Sequence, residues 1–127
     1  MSNSIRQTPL KTSFPLGFLS VTPAASTALA ENSYALPDLL NRHASGDSGD
    51  VSELQRKRNE LAIALKIGGR VLSAYLVPNT HHPFFSKMPY SVWIITEAAT
   101  HALNGIKRIT TTVLMPDEFF DYNPPVI

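Results

Sequence analysis

Five residues of this chain combine a general base with groups that could hold a phosphate: His43, Arg70, Ser73, Tyr75 and Arg108. A histidine titrates near neutral pH and can therefore remove the proton of a ribose 2′-hydroxyl. An arginine binds phosphate oxygens and stabilises an anionic transition state, and serine and tyrosine hydroxyls can position a substrate. These residue types predict, as one hypothesis, RNA cleavage without a metal ion.

His43 also permits a structural interpretation. It lies near the end of a predicted short helix and close to a Gly-Asp turn. A hydrogen bond from its ring to Asp47 or Asp50 would tie the helix to the turn, with no catalytic role. The sequence leaves the catalytic and the structural interpretations open.

A second set of residues points to binding rather than catalysis. Phe84, Phe85, Met88 and Tyr90 belong to a long loop between two predicted strands, and His101 belongs to the next loop. Aromatic residues and methionine are enriched at protein interfaces, so this set predicts a binding surface. The alternative is that the aromatic residues fold back over the sheet as core.

No metal site or cofactor is predicted. His81 and His82 are adjacent, and neighbouring side chains point in opposite directions in an extended chain, so they chelate one ion poorly. The spacing of a zinc-binding helix motif is also missing.

Composition restricts the class of protein. The chain has 127 residues, 43% of them hydrophobic, a net charge of +1 and no cysteine. One domain is expected, without disulfides or thiol chemistry. The near-neutral charge excludes a broad basic field for nucleic acid, although Arg56, Lys57 and Arg58 are consecutive. No signal sequence or membrane-spanning run is recognised, so we expect a cytoplasmic protein that does not contact membranes.

Local patterns predict the elements that must position these residues. Thr22-Pro23 is typical of a helix start, and a second helix is expected from Pro37 to about Ala44. Asp50 has the spacing of a capping box with Glu53. It predicts a helix from Asp50 to Lys66 that buries Leu54, Leu61 and Leu65 against a sheet. Three strands are predicted at 71–77, 91–97 and 109–115, and Thr111 should face away from Thr110 and Thr112.

The order of these elements predicts the fold class. The helices come first, and the three strands are joined by connections too short for crossover helices, so they should form an antiparallel meander. We predict a two-layer α+β domain at 14–120, with N-terminal helices packed on a C-terminal β-meander. Residues 1–13 are predicted to be a flexible arm and residues 121–127 an extended tail.

Several ordered motifs resemble a small bacterial family known as "plasmid-related protein". They are Arg42-His43-Ala44-Ser45-Gly46-Asp47, Asn59, Arg70-Val71-Leu72-Ser73-Ala74-Tyr75, Trp93-Ile94-Ile95-Thr96-Glu97 and Thr111-Thr112-Val113-Leu114-Met115-Pro116-Asp117-Glu118-Phe119. The resemblance covers residues 16–119, which is most of the chain. It implies a bacterial protein associated with plasmids and other mobile elements, and it assigns no activity.

Two function classes therefore remain. The first is a non-enzymatic accessory protein of a mobile element that binds a host protein or ribonucleoprotein complex, as anti-CRISPR and other anti-defence proteins do. The second is a metal-independent ribonuclease that uses His43 with Arg70 or Arg108. RNA is a candidate partner under either hypothesis. Convergence of the five polar residues in one cleft would favour the enzyme, and their dispersal together with a flat apolar patch on the loops would favour the binding protein.

Overall fold

The structure is a computed structural model that describes residues 14–32, 34–65, 69–78, 90–98 and 109–122. Its elements, in chain order, are β1 (Phe18–Val21), α1 (Pro23–Glu31), α2 (Leu36–Ala44), α3 (Glu53–Leu65), β2 (Arg70–Val77), β3 (Tyr90–Ala98), β4 (Ile109–Leu114) and a 3-10 helix (Pro116–Asp121). The α+β class is confirmed, with helices in the N-terminal half and most strands in the C-terminal half.

The four strands form one mixed sheet in the order β1-β4-β3-β2. β2, β3 and β4 pair antiparallel, which confirms the predicted meander. The expectation of a purely antiparallel sheet is wrong, because β1 adds a parallel strand beside β4. The chain crosses three helices and two strands between β1 and β4, and so long a connection can return it in the parallel direction.

The first two helices cover one side of the sheet, which we call the helix-covered face. Its strand residues are Val71, Ser73, Tyr75, Val77, Val92, Ile94, Thr96, Thr111 and Val113, which the register places on the same side. Ala25 and Leu29 of α1 and Leu39 of α2 pack in one buried cluster with the apolar members of this face. This packing is the helix-on-sheet layer that the sequence predicts.

The start of α1 is fixed by Thr22, as predicted. Its side chain accepts a hydrogen bond from the backbone N–H of Ala25 at 3.2 Å, and Pro23 occupies the first turn. The Thr22 hydroxyl also donates to the Glu118 carboxylate at 2.7 Å. Thr22 therefore joins the first helix to the 3-10 helix that follows β4.

Helix α3 differs from its prediction in both its start and its buried side. It begins at Glu53 and not at Asp50, and the Ser52 hydroxyl accepts the N–H of Gln55 at 3.1 Å. Leu54 and Leu61 are each 60% exposed, so these two predicted core residues do not pack on the sheet. The side chain of Leu65 lies outside the described part of the chain.

Among the α3 side chains that the structure describes, Asn59 is the fully buried one, and it pairs with the outer edge of β2. Its Nδ2 donates to the carbonyl of Leu72 at 2.8 Å, and its Oδ1 accepts the N–H of Leu72 at 3.1 Å. Nδ2 also donates to Ser48 Oγ, and Oδ1 also accepts from Gln55 Nε2, so all four hydrogen-bonding positions of the amide are used. The side chain thus supplies the bonds that a neighbouring strand would make, and this explains why α3 lies at the edge of β2 without an apolar stripe.

The segment before α3 completes the closure of this edge. The backbone N–H of Asp50 donates to the Ala74 carbonyl at 2.7 Å, and the N–H of Ala74 donates to the Ser48 carbonyl at 3.0 Å. Gly49 lies between them with φ of 69°, where a Cβ atom would approach the Ala74 oxygen to 2.3 Å. Only glycine permits this approach, and the approach leaves Leu72 and Ala74 with paired backbone groups.

The other side of the sheet carries Arg70, Leu72, Ala74, Ser91, Trp93, Ile95 and Glu97, and we call it the groove face. The 3-10 helix lies over it, with the ring of Phe119 against Trp93 at 5.3 Å between centroids. None of the helices in the described ranges has the length and hydropathy that a membrane crossing requires.

Candidate functional site

His43 lies in the last turn of α2 and is completely buried. Both of its ring nitrogens are hydrogen-bonded. Nδ1 lies 2.6 Å from Ser73 Oγ, and Nε2 lies 2.8 Å from Thr96 Oγ1. The bonds continue from Thr96 to Thr111 Oγ1 at 2.8 Å and from Thr111 to the Leu16 carbonyl at 2.6 Å. Ser73, His43, Thr96, Thr111 and the Leu16 carbonyl form what we call the buried chain, which crosses β2, β3 and β4.

The directions of the bonds in the buried chain follow from counting hydrogens once the imidazole is neutral, the form that burial of His43 favours by lowering its pKa. A carbonyl only accepts, so the Thr111 hydroxyl donates to Leu16, and Thr96 must then donate to Thr111. With its one hydrogen used, Thr96 accepts from Nε2–H of His43, and Nδ1 accepts from the Ser73 hydroxyl. The neutral Nε2–H tautomer of His43 is the form that satisfies the whole chain.

Burial also makes His43 a poor base. Loss of hydration lowers the pKa of the imidazole from 6.5 to about 4. The edge of the Phe14 ring packs against it at 5.1 Å between centroids. Both ring nitrogens are bonded within the protein, and their partners are Ser73 and Thr96 rather than the predicted Asp47 or Asp50.

Tyr75 also has a structural environment, next to the buried chain on β2. Its hydroxyl donates to the backbone carbonyl of Asp47, and the Arg42 guanidinium lies 4.6 Å above its ring. Arg42 in turn pairs with the Asp47 carboxylate at 2.7 Å, which lowers the pKa of that acid. Burial raises the pKa of Tyr75 to about 12, so the phenol stays protonated.

Arg70 lies on the groove face, whereas His43 and Ser73 meet on the helix-covered face. Arg70 and Ser73 are three positions apart on β2, which places their side chains on opposite sides. Arg70 Nε pairs with Glu97 at 3.0 Å, and its guanidinium lies within 6 Å of the ring centroids of Phe119 and Tyr122. Of the four predicted catalytic residues that the structure describes, His43, Ser73 and Tyr75 lie on the helix-covered face and Arg70 lies on the other.

The remaining predicted site residues lie outside the described residues. They are Arg108 among the proposed catalytic groups, Phe84, Phe85, Met88 and His101 among the proposed binding groups, and His81 and His82. Tyr90 is the first residue of β3, and only its backbone is described. The two loops therefore stay predictions. Within the described ranges, no group of three or more metal-ligating side chains could hold an ion.

The groove face carries an open groove of about 730 Å³ between the start of α3, strands β2 and β3, and the 3-10 helix. Trp93, Phe119 and Leu72 supply apolar surface, and Arg58 and Arg70 supply positive charge. Asp50, Val51, Ser52, Gln55, Ala74 and Ser91 complete the lining. A groove with aromatic walls and a few polar groups is typical of a binding site, and its mixed charges suit a protein segment.

Sequence reasoning missed this groove. Trp93 and Ile95 alternate with Val92 and Ile94, so β3 is apolar on both sides. That pattern is typical of a strand with both faces covered. It could have predicted that another element lies over the second face of the sheet. Neither family models, nor curated proteins, nor solved structures yield a match to this chain.

Proposed function

We propose that this chain is a non-enzymatic accessory protein of plasmids or other mobile elements, which binds a host protein or ribonucleoprotein complex in the bacterial cytoplasm. Anti-defence proteins, including anti-CRISPR proteins, belong to this class. The sequence resemblance supports the association with mobile elements. The two faces of the sheet differ: the candidate catalytic histidine is buried on one face, and an open groove lies on the other. This difference supports binding without catalysis.

One observation carries the choice of binding over catalysis. His43 and Ser73, which suggested a reaction, are closed into the buried chain at 0% exposure, and the Tyr75 hydroxyl is bonded to the Asp47 carbonyl. The groove is an accessible concave surface that offers aromatic rings, arginines and amide or hydroxyl groups. Such groups recognise a partner, and tryptophan and arginine are the residue types that contribute most to interfaces.

The ribonuclease hypothesis finds no support in this geometry. His43 has no accessible nitrogen, and Arg70 lies across the sheet with Glu97 as its partner. A general base must reach the proton that it removes. We therefore expect no cleavage of single-stranded RNA that depends on His43, whether or not a chelator is present.

A protein surface is a better occupant of the groove than naked RNA. The net charge of the chain is only +1, and Arg70 and Arg58 share the groove with Asp50 and the Glu97 ion pair. RNA binding draws much of its affinity from unpaired cations along the phosphate backbone. The groove instead combines positive and negative side chains with apolar surface.

The test is affinity capture from bacterial lysate with two matched variants. Arg58→Glu and Lys57→Glu make the same change of charge at adjacent exposed positions of α3, but only Arg58 lines the groove. We expect a partner retained by the wild type and by Lys57→Glu, and a loss of at least about tenfold in its affinity for Arg58→Glu. Nuclease treatment of the lysate distinguishes a protein partner from one held through RNA.

Two results would contradict the proposal. The first is that no partner is retained at protein concentrations up to the micromolar range. The second is that both charge reversals weaken capture equally. That result would mean that the partner responds to the overall charge of α3 and not to a contact in the groove. Circular dichroism of each variant verifies that the fold is kept.

A further inference from the structure

The two terminal strands of the sheet have different edges. The outer edge of β2 is paired by Asn59 and by the segment 48–50, whereas β1 pairs only with β4 among the described residues. The N–H of Thr22 donates inward to Val113 at 2.9 Å. Because backbone groups alternate sides along a strand, the N–H and C=O groups of Leu19 and Val21 point outward.

β1 is short, but it lacks two other features that protect an open edge, a charged side chain and a proline. Its sequence is Phe18-Leu19-Ser20-Val21, with no charge and no proline. Phe18 is 64% exposed and Leu19 is 47% exposed, one on each face of the sheet. An apolar edge of this kind is a template for another strand. Its outward N–H and C=O groups have no partner among the described residues, and their alternation matches an extended backbone.

We propose that the outer edge of β1 pairs antiparallel with β1 of a second copy of this chain, so that two four-stranded sheets become one of eight strands. In the register centred on Ser20, Leu19 lies opposite Val21 of the second copy. Each such pair exchanges two backbone hydrogen bonds, so the four outward N–H and C=O groups of each copy are satisfied. Leu19 then packs beside Val21 of the other copy on the helix-covered face.

The chemistry of the edge favours a second copy over an unrelated strand. The outward groups of Leu19 and Val21 are complementary to themselves under a two-fold rotation, which is the commonest symmetry of soluble oligomers. On the outer edge of β2 the backbone groups of Leu72 and Ala74 are already paired within the chain, so a further strand would have to displace those bonds, and we expect pairing to end at two copies. The groove lies at β2 and β3, away from β1, and this inference does not depend on the proposed function.

The experiment measures the mass of the full chain by sedimentation equilibrium from 1 to several hundred micromolar, for the wild type and two variants. Leu19→Pro removes an outward N–H and leaves the bonds to β4 in place, a substitution that an edge strand tolerates. Leu19→Ala keeps that N–H and removes only side-chain surface. We expect a wild-type dimer, a dissociation constant raised at least about tenfold in Leu19→Pro, which lacks two of the four bonds, and a smaller increase in Leu19→Ala.

Amide hydrogen exchange provides a second measurement that needs no variant. The Leu19 and Val21 amides should exchange more slowly at high protein concentration than at low concentration, while the Ser20 amide should be protected at both. A wild-type chain that stays monomeric across the range would overturn the proposal. A dimer whose Leu19 and Val21 amides exchange independently of concentration would overturn it as well.

Discussion

The two faces of the sheet use polar residues in opposite ways. On the helix-covered face, His43, Ser73, Thr96 and Thr111 bond to one another and are 0–5% exposed. On the groove face, Arg70 and Glu97 form an ion pair with side chains 40% and 19% exposed, beside an open groove. The histidine and hydroxyl residues that suggest catalysis in sequence are buried and bonded on the first face, whereas Arg70, also a predicted catalytic residue, borders the candidate binding site on the second.

This difference shows why residue type alone does not locate a site. A buried polar group must be hydrogen-bonded, or it costs about 1–3 kcal/mol. Once it is fully bonded it holds the strands and α2 in one arrangement, and it has no capacity left for a ligand. Function is therefore expected where polar and aromatic groups still face solvent.

The largest effect is expected from His43→Ala. The variant leaves a cavity and unpairs the Ser73 and Thr96 hydroxyls, so the free energy of unfolding should fall by about 3–5 kcal/mol. Arg70→Ala, which removes a partly exposed ion pair on the groove face, should cost about 1 kcal/mol or less. Urea unfolding measures both values. Equal stability of His43→Ala and the wild type, together with loss of an RNA-cleaving activity, would restore the catalytic interpretation.

His43 should also make the free energy of unfolding depend on pH, by about 3 kcal/mol. The folded pKa of His43 is about 4 and its ordinary value is 6.5, so unfolding takes up a proton between these values. Stability that is fully present above pH 6.5 is lost as the pH falls towards 4, and the difference in pKa corresponds to about 3 kcal/mol.

The control for this effect is His43→Gln, which keeps a donor and an acceptor but does not titrate. Acid loss that arises from other groups, such as Asp47 with its lowered pKa, should be the same in both proteins. The difference between their unfolding free energies should therefore narrow from pH 7 to pH 4. A difference that stays constant would show that His43 does not titrate in a buried site.

A smaller contrast is expected within α3. Asn59→Ala removes four hydrogen bonds and leaves the Leu72 backbone groups unpaired, so it should cost about 2–3 kcal/mol. Leu61→Ala truncates a side chain that is 60% exposed, and it should cost about 1 kcal/mol or less. Thermal unfolding of the two variants is sufficient. A larger loss in Leu61→Ala would mean that the leucine stripe predicted from sequence is the buried side.

The meander, the Thr22 cap and the opposite orientation of neighbouring threonines could be predicted because each depends on local residue preferences and a period of two. The partner of β1 could not, because a strand of four residues does not specify which edge it joins. The buried side of α3 was predicted wrongly for a related reason. Asn59 is buried because its amide is hydrogen-bonded to the backbone of Leu72. Hydrophobic periodicity does not predict such bonds.

The candidate site was predictable only in part. That His43 pairs with polar strand residues requires the register of β2 and β3, which brings Ser73 and Thr96 under α2. The groove requires the 3-10 helix to place Phe119 beside Trp93. These two residues are 26 positions apart in the sequence, so no local pattern predicts their contact. The apolar pattern on both sides of β3 indicated that a second face was covered, but it did not indicate by what.

The most direct test of the central claim is the ring-nitrogen NMR spectrum of His43, recorded between pH 5 and 8. A structural histidine in the buried chain should show one neutral form, with the proton on Nε2 and with shifts that do not change over this range. Its titration should begin only as the pH approaches 4. A ring that titrates near 6.5, or that exchanges between its two neutral tautomers, would be accessible and incompletely bonded, and that result would contradict the assignment of this residue to the fold.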